Sequence, residues 1–302
     1  MRPERSGRTL VVALIATIAM MRPCTSFCAQ QPGESPVESV RRTVQREIAA
    51  SNSDSKVMLT NRKETPHGSQ TKLMVETREG MAGMVVAVND KLLTPQQRQA
   101  EEARLTRLMS NPEELKKKQR TEKEDAERIT RIMKALPDAF LYEADGTEVG
   151  NHEIGRAGQE LVRLNFRPNP KYDPPSRVEQ VLTGMQGYIL IDPEQHRLAK
   201  IDGALSRDVT FGWGFLGHLD KGGHFLVEQA EVNQEDWELT HMTLSFTGKV
   251  LLFKGLSIKS DETFSDFRPA PSLSFAQGVE LLKQQEEEFA GKRRHPAGEK
   301  PK

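Results

Sequence analysis

The sequence predicts an α+β fold: a curved antiparallel β half-barrel with helices on its concave face and an inserted, charged helical hairpin. Three observations predict it. After Arg177, apolar runs recur about every ten residues between turn signals, as in an antiparallel meander. Those runs carry apolar side chains on both faces, which a one-sided sheet over solvent does not need. Glycines also cluster where a sheet would bend, with five in "FGWGFLGHLDKGGHF", residues 211 to 225.

The chain opens with Arg2, Arg5 and Arg8, an uncharged apolar run from Leu10 to Met21, then Arg22, Pro23 and small residues up to Ala29. That order predicts a signal peptide over residues 1–29. The apolar run is shorter than the roughly twenty residues a bilayer span needs. The expected product is exported, to the periplasm or the medium. Cys24 and Cys28 follow Pro23 and Phe27, which suit lipidation poorly, and they are the only cysteines. The processed chain therefore has no internal disulfide, cysteine metal site or thiol nucleophile. Basic and acidic residues number 43 each, and loss of the leader leaves about three negative charges. Without a basic surplus, nucleic acid is excluded as a partner.

From Pro36 to Ala50, Val37, Val40, Val44 and Ile48 share a helical face, with Ser35 placed to cap it. The next forty residues read as a meander with turns at "TPHG" and "REGMAG". Thr94, Pro95 and Gln97 form a helix start with a capping box. Residues 95–136 then read as the helical insertion. Between Pro112 and Arg128, twelve of seventeen residues are charged, six of each sign, which describes a solvated helix laced with ion pairs or an arm that meets a partner. Its second half places Ala126, Ile129, Met133 and Leu136 on one face, expected to dock on the body.

"PDAFLYEADGTEV" restarts β structure, with a hairpin turn at Asp145-Gly146. "ELVRLNF" is a further strand. "RPNPKYDPPSR", with four prolines in eleven residues, is an irregular connector. Six strands follow, with turns expected at "PEQH", "NQED" and Thr247-Gly248. Ser274 to Phe289 closes as a helix. Residues 30–290 form one domain and residues 291–302 a disordered polar tail.

The stretch from 211 to 225 has no GK[ST] and no following helix, so it is not a phosphate cradle. His218, His224 and His241 lack the spacing of a metal site. The glycines read instead as bends over packed aromatic residues. Alternation along the later strands marks a candidate apolar trough at Trp213, Phe215, Phe225, Val227, Trp237, Leu239 and Leu252. Catalytic signals are missing: there is no GxSxG, and Asp192, Asp202, Asp208 and Asp220 sit near turns, where aspartate caps backbone groups. "DETFSD" and "NQED" read as acidic turns without calcium-loop spacing. No cofactor or metal is implied. Arg177, Arg197 and Arg207 read as solvated strand-edge residues, with head-group contacts at a trough rim as the alternative.

The order of elements, with "GYILIDPEQHRLAKIDG" and "GKVLLFKGLSIK" in the meander, resembles the bacterial outer-membrane lipoprotein carrier superfamily. That group includes LolA-like and LolB-like proteins and related mycobacterial lipid-binding lipoproteins. The resemblance covers about Val40 to Pro269 and carries over no functional residue. It implies an open half-barrel, greasy inside and roofed by helices. It also implies a non-enzymatic binder or carrier for an acyl chain, lipid or lipoprotein. The charged segment 95–136 departs from the compact members. It supports an alternative, an envelope interaction protein that docks a partner through the hairpin over a fully packed sheet.

Overall fold

The computed structural model describes residues 34–51, 55–212, 216–233, 236–250 and 254–294. The predicted signal peptide lies outside them. The chain enters through α1 (Pro36–Ala50), then β1 (Lys56–Thr65), β2 (Gly68–Thr77), β3 (Gly80–Val88) and a two-residue β4 (Lys91–Leu92). Helices α2 (Pro95–Ser110) and α3 (Pro112–Ala139) follow, joined by Asn111 alone. Next come β5 (Phe140–Val149), β6 (Glu160–Pro168), a short α4 (Arg177–Gln180) with a 3-10 turn after it, β7 (Met185–Asp192) and β8 (Arg197–Leu205). A small hairpin, β9 (Val209–Phe211) and β10 (Gly217–Leu219), precedes β11 (His224–Asn233), β12 (Asp236–Val250) and β13 (Lys254–Ala270). The last helix, α5 (Phe275–Arg294), runs four residues past the expected end of the domain.

The strands form one open antiparallel sheet in the order β4-β3-β2-β1-β13-β12-β11-β8-β7-β6-β5, with β10 branching onto β12. The turns expected at Asp145-Gly146 and Thr247-Gly248 are absent: the first pair forms a bulge within β5 opposite Arg163, and the second lies inside β12, pairing with Ser257 and Leu256. Gly248 serves a close approach instead. A Cβ there would fall 2.1 Å from the His218 carbonyl oxygen on β10. "DETFSD" is likewise strand rather than turn, with only Asp266 at positive φ, where β13 bulges against β1.

Strand register divides the side chains between two faces. On one face, Ile189, Ile201, Leu164 and Phe166 join Val40 and Val44 of α1 and Leu136 and Ala139 of α3 in the largest core cluster. On the other face, Met58, Leu73, Val75, Ala82 and Met84 pack against Phe275, Val279 and Leu282 of α5. Thus α1 and α3 share one face with each other, and α5 covers the opposite face at the β1–β3 end.

Helix α3 shows which face is hollow. Near its start, Lys118 lies over the Phe275 ring at 5.8 Å, and the Met81 N–H at the start of β3 donates to Glu122 at 3.4 Å. Its end feeds β5 at the far edge. From β3 to β5 is nine strand spacings, about 43 Å if the sheet were flat. From Glu122 to Ala139 the helix rises only about 26 Å. The sheet must therefore curl toward α3, and the face bearing α1 and α3 is the concave one.

The inserted helices also guard a sheet edge. Among the described residues β3 has no strand partner beyond β4, which reaches only Ala87 and Val88. In place of a strand, the Val85 N–H donates to Glu101 at 2.8 Å and Arg104 donates to the Gly83 carbonyl at 2.8 Å. Glu101 and Arg104 hold each other, and Arg98 of α2 reaches Glu286 of α5. These charges of α2, which precede the 112–128 run read as solvated, block edge pairing.

Helix α1 is tied down by charge as well as by its apolar stripe. Glu47, one turn beyond Val44, accepts from Arg197 Nε at 2.7 Å and from the Leu198 N–H at 2.8 Å. Arg197, expected at a solvated edge, is buried because α1 covers that end of β8. Glu47→Ala should lower stability by about 3–5 kcal/mol in urea unfolding, because it strands a buried guanidinium. Glu47→Leu combined with Arg197→Met should recover most of that loss.

Candidate functional site

The helices cover the concave face over β5 to β8 and stop short of β12 and β13. By register, Phe225 and Val227 of β11, Met242, Leu244 and Phe246 of β12, and Leu256 and Ile258 of β13 point to this face. Phe225, Val227 and Phe246 border the core cluster. Met242, Leu244 and Leu256 are half-buried, and Ile258 is 41% exposed. The result is an apolar strip across three strands, continuous with the core at one side and open at the other.

Over the trough, α3 acts as a strut. Leu115 packs with the α5-side core, while Ile132, Met133 and Leu136 pack with the α1-side core. Between these feet residues 123–129 are exposed throughout, and Ile129 is 58% exposed. The docking face expected from Ala126 onward therefore starts only at Ile132.

Glycine at 203 shapes the floor. A Cβ there would fall 2.5 Å from the Phe225 ring and 3.2 Å from that of Phe166. Its absence lets both rings lie flat over β8. Of the other residues proposed for the trough, Trp213, Phe215 and Leu252 lie outside the described residues. Leu239 is half-buried opposite Gln229, after a register shift that leaves Thr240 unpaired. That bulge returns Leu239 to the face of Val227 and Met242. Trp237 is buried elsewhere, against Leu161, Leu190 and Ala199, with its indole N–H donating to Gln195 at 2.6 Å. Period-two spacing puts Met242, Leu244 and Phe246 on one face of their strand, opposite the Trp237 and Leu239 that the sequence assigned to the trough. Cross-strand register shows that this face, with Ile258, is the concave one.

The trough has a polar end on β1 and β2. Lys63 donates to Glu262 at 2.7 Å, and Asn61 donates to the same carboxylate at 3.4 Å. Next to them, Lys72 is half-buried, and no hydrogen bond or ion pair reaches its ammonium among the described residues. Burial first, and then the nearby Arg104, hold its pKa below the usual lysine value.

The three histidines disperse. His218 meets Asp220 at 3.1 Å, His224 meets Asp202 at 2.8 Å, and His241 bridges Glu228 and Asp261 at 3.0 and 3.1 Å. Among the described residues no three His, Cys, Asp or Glu side chains group to hold a metal. Of the four aspartates expected to cap turns, two do; Asp202 lies within β8 against His224, and Asp220 meets His218 and accepts from the Thr247 hydroxyl. Asp192, fully buried, accepts from the Glu194 and Gln195 N–H groups and from Arg156, and Asp208 accepts from the Lys221 N–H. Two hollows of about 420 and 290 Å³ lie against α5, the first lined by Leu273, Ala276 and Leu281, the second by Phe267, Arg268 and Phe289. They flank α5, which covers the convex face, and are separate from the strip.

No family model matches the chain, and no curated protein matches it. Solved structures similar to it include a putative outer membrane lipoprotein-sorting protein domain from Vibrio parahaemolyticus. It is 14% identical, with a TM-score of 0.29, covering 80% of this chain and 97% of that one. A DUF1329 family protein from Desulfovibrio piger is 9% identical at a TM-score of 0.26, covering 82% and 99%. MucB in complex with MucA is 8% identical at a TM-score of 0.20, covering 76% and 98%. The architecture rests on the strand order and register described above, not on these similarities.

Beside Trp237, the Glu238 carboxyl is pushed up to about 7, chiefly by burial and then by Glu76 and Asp236. The native state therefore holds a proton that the unfolded chain releases, and stability should fall as pH rises from about 4.5 to about 7. Glu238→Gln should flatten that decline and raise stability at pH 7 by on the order of 1–2 kcal/mol, after allowing for solvent screening. Urea midpoints measured across that pH range check it.

Proposed function

We propose that this chain binds or carries an acyl chain, as a lipid or lipoprotein ligand, in the open trough, without catalysing a reaction. The observation that carries this reading is the apolar strip from Phe225 to Ile258, left uncovered on a concave face that α3 spans but does not fill. A contiguous apolar patch bordered by polar groups marks a binding surface. Covering a sixteen-carbon chain there would contribute on the order of 10 kcal/mol before the cost of ordering it. A ligand needs no catalytic group to be held. No helix among the described residues is long and apolar enough to cross a membrane. Such a carrier would act outside the cytoplasm, where the leader of residues 1–29 would send it.

The alternative, an envelope interaction protein using residues 95–136, has less support. Glu101, Arg104 and Glu122 are engaged by the protein's own β3 edge.

Native mass spectrometry of the protein purified from its host should show bound lipid, and a fluorescent fatty acid should bind and be displaced by palmitate. Ile258→Asp should weaken that binding at least tenfold while moving the unfolding free energy by less than about 1 kcal/mol, since Ile258 is exposed. An empty protein that also ignores the fluorescent probe would end the carrier reading.

A further inference from the structure

We propose that the trough selects anionic single-chain amphiphiles, with Lys72 as the anchor for the head group. The inference rests on the carrier reading and adds the chemistry of the ligand's polar end.

Charge pairing on the concave face at β1 and β2 is incomplete. Lys63 is matched by Glu262, which Asn61 also contacts. Arg104 is matched by Glu101. Lys72 lies between these two pairs: it faces Asn61 across the β1–β2 ladder and Val85 across β2–β3. It alone of the three cations has no hydrogen-bond or ion-pair partner among the described residues; Glu101 and Glu262 lie near it but are each engaged by another cation. A half-buried ammonium with unused donors is costly, and an incoming carboxylate or phosphate would relieve that cost through charge-assisted hydrogen bonds. The lowered pKa of Lys72 is the expected signature of that unmet demand.

Position completes the argument. Met242 pairs with Glu262, Glu262 with Lys63, and Lys63 with Gln70, two residues from Lys72 on the same face. Three strand spacings, about 14 Å, separate the Met242 end of the apolar strip from β2. An extended sixteen-carbon chain can therefore lie on Met242 and Leu244 with its head group beside Lys72. The opposite orientation would set an anion beyond Phe246 and Ile258, toward Lys254, which shares that face of β13 but is exposed to solvent, unlike the half-buried Lys72.

The test compares three probes of equal chain length on the full chain: palmitate, 1-palmitoyl lysophosphatidic acid and neutral 1-monopalmitoylglycerol. Affinities come from displacement of a fluorescent fatty acid. The wild type should prefer at least one anionic probe over the neutral one by tenfold or more, and the carboxylate and phosphate arms report which head group is favoured. Lys72→Met should abolish the preference while leaving neutral-probe affinity within twofold, and Lys72→Arg should retain it. A matching urea midpoint for Lys72→Met confirms that the fold is intact. Equal binding of all three probes, or a preference that survives Lys72→Met, overturns the assignment and leaves the carrier reading standing. Failure of all three probes to bind overturns both.

Discussion

A helix that must reach both edges of one sheet sets the curvature of that sheet. α3 is anchored at the β3 edge through Glu122, beside Lys118 over Phe275 of α5, and ends where β5 begins. Its rise between those points is far shorter than the width of the flattened sheet. The strands absorb the difference by curling, helped by the twist natural to them and by glycines that bring backbones close. The trough, its strut and the one-sided placement of α1 all follow from that constraint.

The curvature divides the sheet into regions with different chemistry. Where α1 and the end of α3 press on the concave face, the core is dense and apolar from Phe140 to Leu205. Under α5, on the convex face, a second core forms with its own apolar residues. Between the two, the convex face is polar and self-satisfied. Arg163 stacks 3.6 Å from the Tyr188 ring, Lys200 meets Glu228, and Glu228 meets His241. The concave face between the two cores combines exposed hydrocarbon with an unmatched cation. On that face the apolar residues lie on β11, β12 and one end of β13, and the ionic groups on β1, β2 and Glu262 of β13, so a single ligand meets both only by lying across strands.

The charged segment between Thr94 and Phe140 illustrates how one composition can serve two purposes. Its outer residues pair along the helix at i+3 and i+4 and hold it straight in solvent. Its inner ones, Glu101, Arg104 and Glu122, take the place of a missing strand beside β3. A bare edge of that length would invite pairing with another chain.

The sequence by itself determined the antiparallel meander, the capped helices at Ser35 and Thr94, the helical insertion and the aspartate-capped turns. These depend on neighbours within a few residues. Only the tertiary structure decided that Thr247 and Gly248 continue a strand, because the deciding contact comes from β10, some thirty residues away. It also decided that Arg197 is buried by Glu47, and that a bulge at Thr240 changes the phase of Leu239. The apolar strip and Lys72 became a site in the same way. Alternation within a strand says which residues share a face, but register between strands says which of them meet, and register is fixed by packing across the whole sheet.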